Sequence, residues 1–406
     1  MIKIIDPRIA NTNVHKVGVY RVGDREYFNK LEAFQDSIRS GQEVTWHIFE
    51  EELAATDLTK EPDEDIHALY IKRAQQLRND YDHLVLHFSG GDDSTNIVQT
   101  FIRAGIKIDQ IFIRYHAGSV TKARSEFEKR NVEIDSESLE PFNLAAVVAK
   151  EIKDYHWPDV EVTMCDLTDP LLKMISDDPD WYEKRNSASI DPIAIVRSDY
   201  DLLHPPWRTM AEKGKRIAHI LGKEKPFVSR DEKGFYMQYN DTNHQDHVLP
   251  RMIEVGLPQY VELFYWDPST IQMQLKQAHL LRRAWQEGDP VLIKTNELKS
   301  TRTHENAMAR ILYGYRFLSR PMQTLKSNTE ITGLTNSTPW KVVSDWAVRD
   351  KDTVFFKNWS RGIFELYKLV KPLYAHSMSF WHSGFPTLSS PKHYIWYHNE
   401  EELGND

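Results

Sequence analysis

One cysteine in 406 residues, Cys165, excludes an internal disulfide framework, a CxxC redox pair and any zinc site built from several thiolates. No stretch of 18 apolar residues is present, so no segment reads as a membrane-spanning helix. The opening residues, MIKIIDPRIANTN, lack the apolar core of a secretion signal, and the expected compartment is the cytoplasm. Basic residues are too few as well. Against 60 Asp and Glu stand 51 Lys and Arg, a formal charge of −9, the wrong sign for a general nucleic-acid binder. Two phosphate-binding signatures are also missing. There is no GxxxxGK[ST] loop, because neither GKR (214–216) nor GKE (222–224) supplies the hydroxyl, and there is no GxGxxG.

What is present points to a packed protein. The 11 Trp, 18 Tyr and 17 Phe argue against extended disorder. The length suits two or three domains. Residues 1–64 read as a small N-terminal α+β unit, with VHKVGVYRV and EVTWHIF as strands around the helix KLEAFQDSIRSG, which Gly41 closes. The acidic stretch DLTKEPDED (57–65) reads as a linker. Residues 65–240 then alternate. Ile66, Leu69, Tyr70, Ala74 and Leu77 form a helix face, HLVLHF is a buried strand, and Ile97, Val98, Phe101 and Ile102 mark a second helix stopped at Gly105. Strands at 106–115, 160–165 and 215–221, with a helix at 143–155, continue the series. The expected fold is α/β, a Rossmann-like parallel sheet with helices on both faces. Residues 241–406 look mostly helical, a region suited to substrate specificity. Asp267-Pro268 opens one helix there with Asp as N-cap, and Asp169-Pro170 and Asp191-Pro192 use the same device.

The chemistry concentrates in HFSGGDDSTNIV (87–98), where a strand meets a helix. Two glycines there let the backbone approach a ligand without a Cβ in the way. Their amides and the helix N-terminus make an anion site. Ser89, Ser94 and Thr95 add hydroxyls. Asp92 and Asp93 would repel a phosphate unless a cation intervened, which implicates Mg²⁺, with Asp93 as its candidate ligand.

Ser89, Gly90, Gly91, Asp93 and Ser94, with Asp92 between them, resemble the SGGxDS signature of the PP-loop ATP pyrophosphatases, also called adenine nucleotide α-hydrolases. Five such positions would coincide by chance in roughly one chain in two thousand of this length. YDHLVLHFSGGDDS and ELFYWDPSTIQMQLKQAH are also similar to asparagine-synthetase-like proteins of bacteriophages, which would make the compartment the host cytoplasm. The resemblance implies a loop that holds the β- and γ-phosphates of ATP while a substrate oxygen attacks the α-phosphorus. The products are an adenylylated substrate and pyrophosphate, and an amine or ammonia then displaces AMP. It implies an ATP-dependent ligase, acting on a carboxylate of a small-molecule or nucleotide-linked acceptor. The bound groups would be ATP and Mg²⁺, held at Ser89, Gly90, Gly91, Asp92, Asp93, Ser94 and Thr95, with Ser89 and Asp93 taking part in catalysis.

The cation that a leaving pyrophosphate needs is expected from GKEKP, as Lys223 or Lys225, each a candidate catalytic residue. Arg114, Tyr115 and His116 end the second strand, where relatives line the adenine pocket. A chain beginning MIKII lacks the N-terminal cysteine of glutamine-hydrolysing relatives, so any nitrogen would come as ammonia, an amine or the product of a separate donor protein. Sulfur transfer or sulfonucleotide reduction is the alternative enzyme reading, and the lone Cys165 in an apolar run counts against it. A nucleotide-binding protein without catalysis is the alternative of another class. His244 and His247 beside Asp246, and His376 and His382 among aromatics, read as polar loop and packed surface respectively.

Overall fold

A computed structural model describes residues 18–27, 29–115, 117, 141–182, 205–222, 225–241, 259–289, 292, 308–319, 351–370 and 388–398. Strands β1 (Val19–Val22), β2 (Arg25–Tyr27) and β3 (Val44–His47) form an antiparallel sheet in the order β2-β1-β3, with α1 (Lys30–Ser40) against it. Asn29 caps α1 by accepting from Leu31 N at 2.8 Å, and Gly41 ends it at φ 70°. The β1–β2 hairpin was not anticipated, although Gly23-Asp24 is a two-residue turn signal and Gly23 sits at φ 58°. A short helix α2 (Glu50–Ala54) follows β3.

The central sheet is parallel throughout. Between α3 (Ile66–Asp80) and α4 (Asp92–Arg103) runs β4 (His83–His87), and β5 (Gln110–Tyr115) lies beside it. A π-helical turn at Pro141–Ala145 leads into α5 (Ala146–Tyr155), then β6 (Glu161–Asp166), α6 (Thr168–Asp177), α7 (Pro205–Glu212) and β7 (Ile217–Leu221). With β10 (Gln259–Leu263) the spatial order is β10-β7-β4-β5-β6. One face buries Leu84, Leu86, Ile111, Ile113 and Ile220 with Leu77 of α3, Phe101 of α4 and Val148 of α5. The other buries Val85, Phe112, Cys165 and Ile217 with Trp207 and Ala211 of α7. Because both faces are covered, β4 reads as a continuous apolar run rather than an alternation. The molecule is mixed α/β, with a five-strand parallel sheet flanked by helices, and no helix among the described residues is long and apolar enough to cross a membrane.

A second antiparallel sheet comprises β8 (Phe227–Asp231), β9 (Gly234–Gln238) and β11 (His393–Tyr397), in the order β11-β9-β8. Beyond residue 241, expected to be mostly helical, the described chain holds α8 (Ile271–Gln286) and α9 (Val354–Val370) together with the strands β10 and β11. The strand β10 completes the central sheet from beyond position 240, where the sequence placed a boundary. Asp267 caps the turn into α8 as predicted, within a reciprocal capping box with Thr270. Asp169 does not cap α6. That helix begins earlier, and Asp166 accepts from Thr168 N at 2.9 Å instead. Asp191-Pro192 lies outside the described residues.

Topology sets the site. From β4 the chain steps to β5 and β6 on one side, then returns to β7 on the other side of β4. The sheet therefore reverses its winding between β4 and β7, and their carboxyl ends flank the crevice where open α/β sheets receive ligands.

Candidate functional site

The turn after β4 is built from conformational necessity. Phe88 N still bonds Phe112 O at 2.9 Å, holding the chain to β5 until Ser89. Gly90 then adopts φ 76°, a left-handed conformation. A Cβ there would lie 2.8 Å from Leu144 Cγ and 3.0 Å from the Ala145 backbone, so a larger residue is both strained and obstructed. Gly91 is the N-cap of α4 and gives it no side-chain cap. The amides of Asp92, Asp93 and Ser94 open the helix, where no carbonyl four residues earlier belongs to the helix to receive them. Ser89 is exposed, and its Oγ accepts from Gly91 N at 3.3 Å and stands 3.3 Å from Ser94 Oγ. Ser94 Oγ lies 3.2 Å from Gly91 O, to which it donates. Thr95 is buried and donates to Gly90 O at 3.2 Å, which fixes the shape of the turn rather than lining its mouth.

The end of β7 comes against this turn. A Cβ on Gly222 would sit 3.1 Å from Ser94 N and 3.0 Å from Ile97 Cδ1, so a glycine there lets the two segments meet. Lys225 follows, with Nζ 3.0 Å from Asp93 Oδ2. Its ammonium lies 5.0 Å from the Tyr265 ring centre and 5.6 Å from that of Tyr313, and the two rings stack at 22°. Such faces attract a cation and restrict its position. Tyr313 Oη donates to Asp93 Oδ1 at 2.5 Å, while Tyr265 Oη donates to Asp93 O at 2.9 Å and accepts from Asn96 Nδ2 at 2.9 Å. Burial, reinforced by the Asp93 charge, pushes both phenols well above their usual range, so they remain donors at any physiological pH. On the far side, Arg316 Nη1 lies 3.0 Å from Asp92 Oδ1.

The structure thus brings Lys225 to the loop residues Ser89, Gly90, Gly91, Asp92, Asp93, Ser94 and Thr95. Arg114 stands half-buried at the end of β5, in register with Cys165 of β6, and its charge helps hold the buried His87 in the neutral form. Cys165 is buried beneath α7. Lys223, His116, His244, Asp246, His247, His376 and His382 lie outside the described residues. Sequence reasoning missed Tyr265, Tyr313, Arg316 and Asn96. None of the four carried a local signal, Asn96 standing among other polar residues at the start of α4.

Two half-buried carboxylates at the mouth of the turn are hard oxygen donors. Among the described residues no cluster of three or more His, Cys, Asp or Glu could cage a metal by itself. Mg²⁺ takes one or two carboxylates with phosphate oxygens and water, but Asp93 Oδ1 and Oδ2 already meet Tyr313 and Lys225. To hold that ion, Asp93 would have to exchange one of these partners for it. No family model matches the chain, and no curated protein is significantly similar to it.

Proposed function

We propose that the protein is an ATP-dependent enzyme that adenylylates a carboxylate oxygen of its substrate, with release of pyrophosphate, and passes the activated group to an amine or ammonia. One observation carries the reading: the glycine turn opens an uncapped helix at the winding reversal of the sheet, with a lysine from the neighbouring strand end brought to its aspartate. Amides of the turn and the amino end of α4 are suited to the β- and γ-phosphates, which leaves the α-phosphorus outermost. Negative charge grows on the departing pyrophosphate, and preoriented amides with the Lys225 ammonium stabilise it without reorganisation. The ring pair of Tyr265 and Tyr313 keeps Lys225 in place during this step. Bound Mg²⁺ would neutralise phosphate charge and orient the chain of phosphates. Ser89 positions and need not become covalent.

The test is incubation with ATP and Mg²⁺ against a panel of acids and amines. AMP and pyrophosphate are expected as products. Formation of ADP instead would refute the proposed bond cleavage. Asp93→Ala is expected to reduce pyrophosphate release by roughly 100- to 1,000-fold, the range for losing one preorganised electrostatic contact. Wild-type turnover in that variant would remove the turn from the reaction. Tight nucleotide binding without pyrophosphate release under any acceptor would favour a binding module.

A further inference from the structure

We infer that Arg316 is a second phosphate-binding cation of this site, held over the amino end of α4 by Asp92; the inference rests on the nucleotide reading above. Arg316 belongs to segment 308–319, which α4 and α5 fasten through side chains. Gln99 Oε1 accepts from Phe317 N at 2.7 Å and from Leu318 N at 3.2 Å. Arg103 Nη2 donates to Tyr315 O at 3.0 Å, and its guanidinium lies 5.2 Å from the Phe317 ring centre. The Glu151 carboxylate of α5 accepts from Ser319 N at 3.0 and 3.1 Å. The guanidinium itself is braced by its own segment. Nε donates to Leu318 O at 3.2 Å and Nη2 to Ser319 O at 3.0 Å, while Nη1 meets Asp92 Oδ1 at 3.0 Å.

That arrangement repeats the geometry of Lys225. Each of two adjacent carboxylates in the turn holds one cation, and each cation arrives from a distant part of the chain. An ionised carboxylate only accepts, so Asp92 cannot itself bind phosphate. It can place a donor there. Both partners of the Asp92–Arg316 pair are partly exposed, and such pairs contribute little to stability, so exchanging the carboxylate for phosphate oxygens costs little. The exchange favours phosphate because the planar guanidinium fork matches its oxygens in two charge-assisted hydrogen bonds. Two cations flanking one glycine turn suit a ligand with two or more linked phosphates. Inorganic pyrophosphate and the outer phosphates of a nucleoside triphosphate share that chemistry, and a monophosphate does not.

Isothermal calorimetry on the full chain with Mg²⁺ tests this, using ATP, inorganic pyrophosphate and AMP as separate probes. Arg316→Ala is expected to weaken ATP and pyrophosphate roughly 10- to 100-fold, as loss of a charged hydrogen-bonding partner does, and to leave AMP unchanged. Arg316→Gln keeps a donor for the Leu318 and Ser319 carbonyls and is expected to show the same loss, which separates charge from folding. Arg316→Lys restores part of the affinity, as a point charge without the fork. If Arg316→Ala and Arg316→Gln bind ATP and pyrophosphate like the wild type while Lys225→Ala does not, Arg316 only fastens segment 308–319 and the inference is overturned. If the wild type binds neither probe, the nucleotide reading falls, and this inference with it.

Discussion

Two kinds of ion pair meet in this molecule, and their surroundings give them opposite uses. Arg73 of α3 and Glu262 of β10 sit 2.7 Å apart with side chains 1% and 2% exposed, and Asp267 Oδ2 lies 3.4 Å from the same guanidinium. Lys30 and Asp241 are 2.6 Å apart at 2% and 0% exposure, with Tyr20 Oη donating to the same carboxylate at 3.0 Å. In the glycine turn, Lys225–Asp93 and Arg316–Asp92 are each 3.0 Å, and there the cations are 7% and 17% exposed while Asp93 is 40% and Asp92 27% exposed. A buried charge cannot release its partner without standing alone in a poor solvent. A charge at the surface can, because water or a ligand takes the partner's place. The first kind pins α3 to the sheet edge and the N-terminal unit to the second sheet. The second kind holds the mouth of the turn in order, and its carboxylates can turn to water where an anion takes over the cation. Chemistry belongs where exchange is cheap.

Removing one buried partner gives the largest effect on stability. Arg73→Met is expected to lower unfolding free energy by about 3–5 kcal/mol, because Glu262 and Asp267 are left as uncompensated buried charges. Urea unfolding monitored by tryptophan fluorescence measures it. Combining the change with Glu262→Gln should recover part of the loss, whereas simple loss of packing would leave the double variant no better.

A smaller effect comes from buried histidines that must stay neutral. His87 of β4 is buried, with Nε2 3.1 Å from His219 Nδ1 and with Phe112 and Trp207 around it. Desolvation, then Arg114 and His219, hold its pKa well below the ordinary histidine value. His67, His279 and His393 are lowered as well, burial being the first cause in each. Below pH ~6.5 the unfolded chain takes up protons that the native state refuses, so stability falls as pH falls. The slope is about 1.4 kcal/mol per pH unit for each such histidine once the unfolded form is fully protonated. Carboxylates with lowered pKa, such as Glu50 and Glu61, act only nearer their unfolded values, so the interval from pH 6.5 to 5.5 isolates the histidines. Unfolding at those two pH values should show a steeper loss in the wild type than in His87→Gln. Equal slopes would mean that His87 takes up protons in the native state as readily as in the unfolded chain.

What was legible in the sequence follows the same division between local and distant causes. The β4–turn–α4 junction, the stops at Gly41 and Gly105 and the cap at Asp267 depend on neighbouring residues, and a window of a few positions holds them. Lys225 was within reach because it follows a readable strand at the same sheet edge. The strand β10 was not, because Glu262 gives it a polar look that only distant partners explain, among them Arg73, 189 residues away, and Tyr81. The hairpin of β8 and β9 hides Gly234 for a similar reason. A Cβ there would lie 2.0 Å from Trp396 O, so the glycine answers to β11, far along the chain. Tyr313 and Arg316 stand 220 and 224 residues from the aspartates they hold, and nothing local marks them.

The smallest effect sharpens the comparison most. Asp92→Asn keeps a side chain of the same shape at the first position of α4 and removes its charge, which faces Arg316 and the amino end of the helix. Because both groups are partly exposed, the expected change in unfolding free energy is at most about 1 kcal/mol, and added salt should shrink it further. Urea titrations at low and high ionic strength measure both quantities. A loss of about 3 kcal/mol or more, insensitive to salt, would class this pair with Arg73–Glu262. Asp92 would then be a structural pin, and the idea that the turn keeps its cations on loan for a phosphate ligand would have no physical basis on that side of the site.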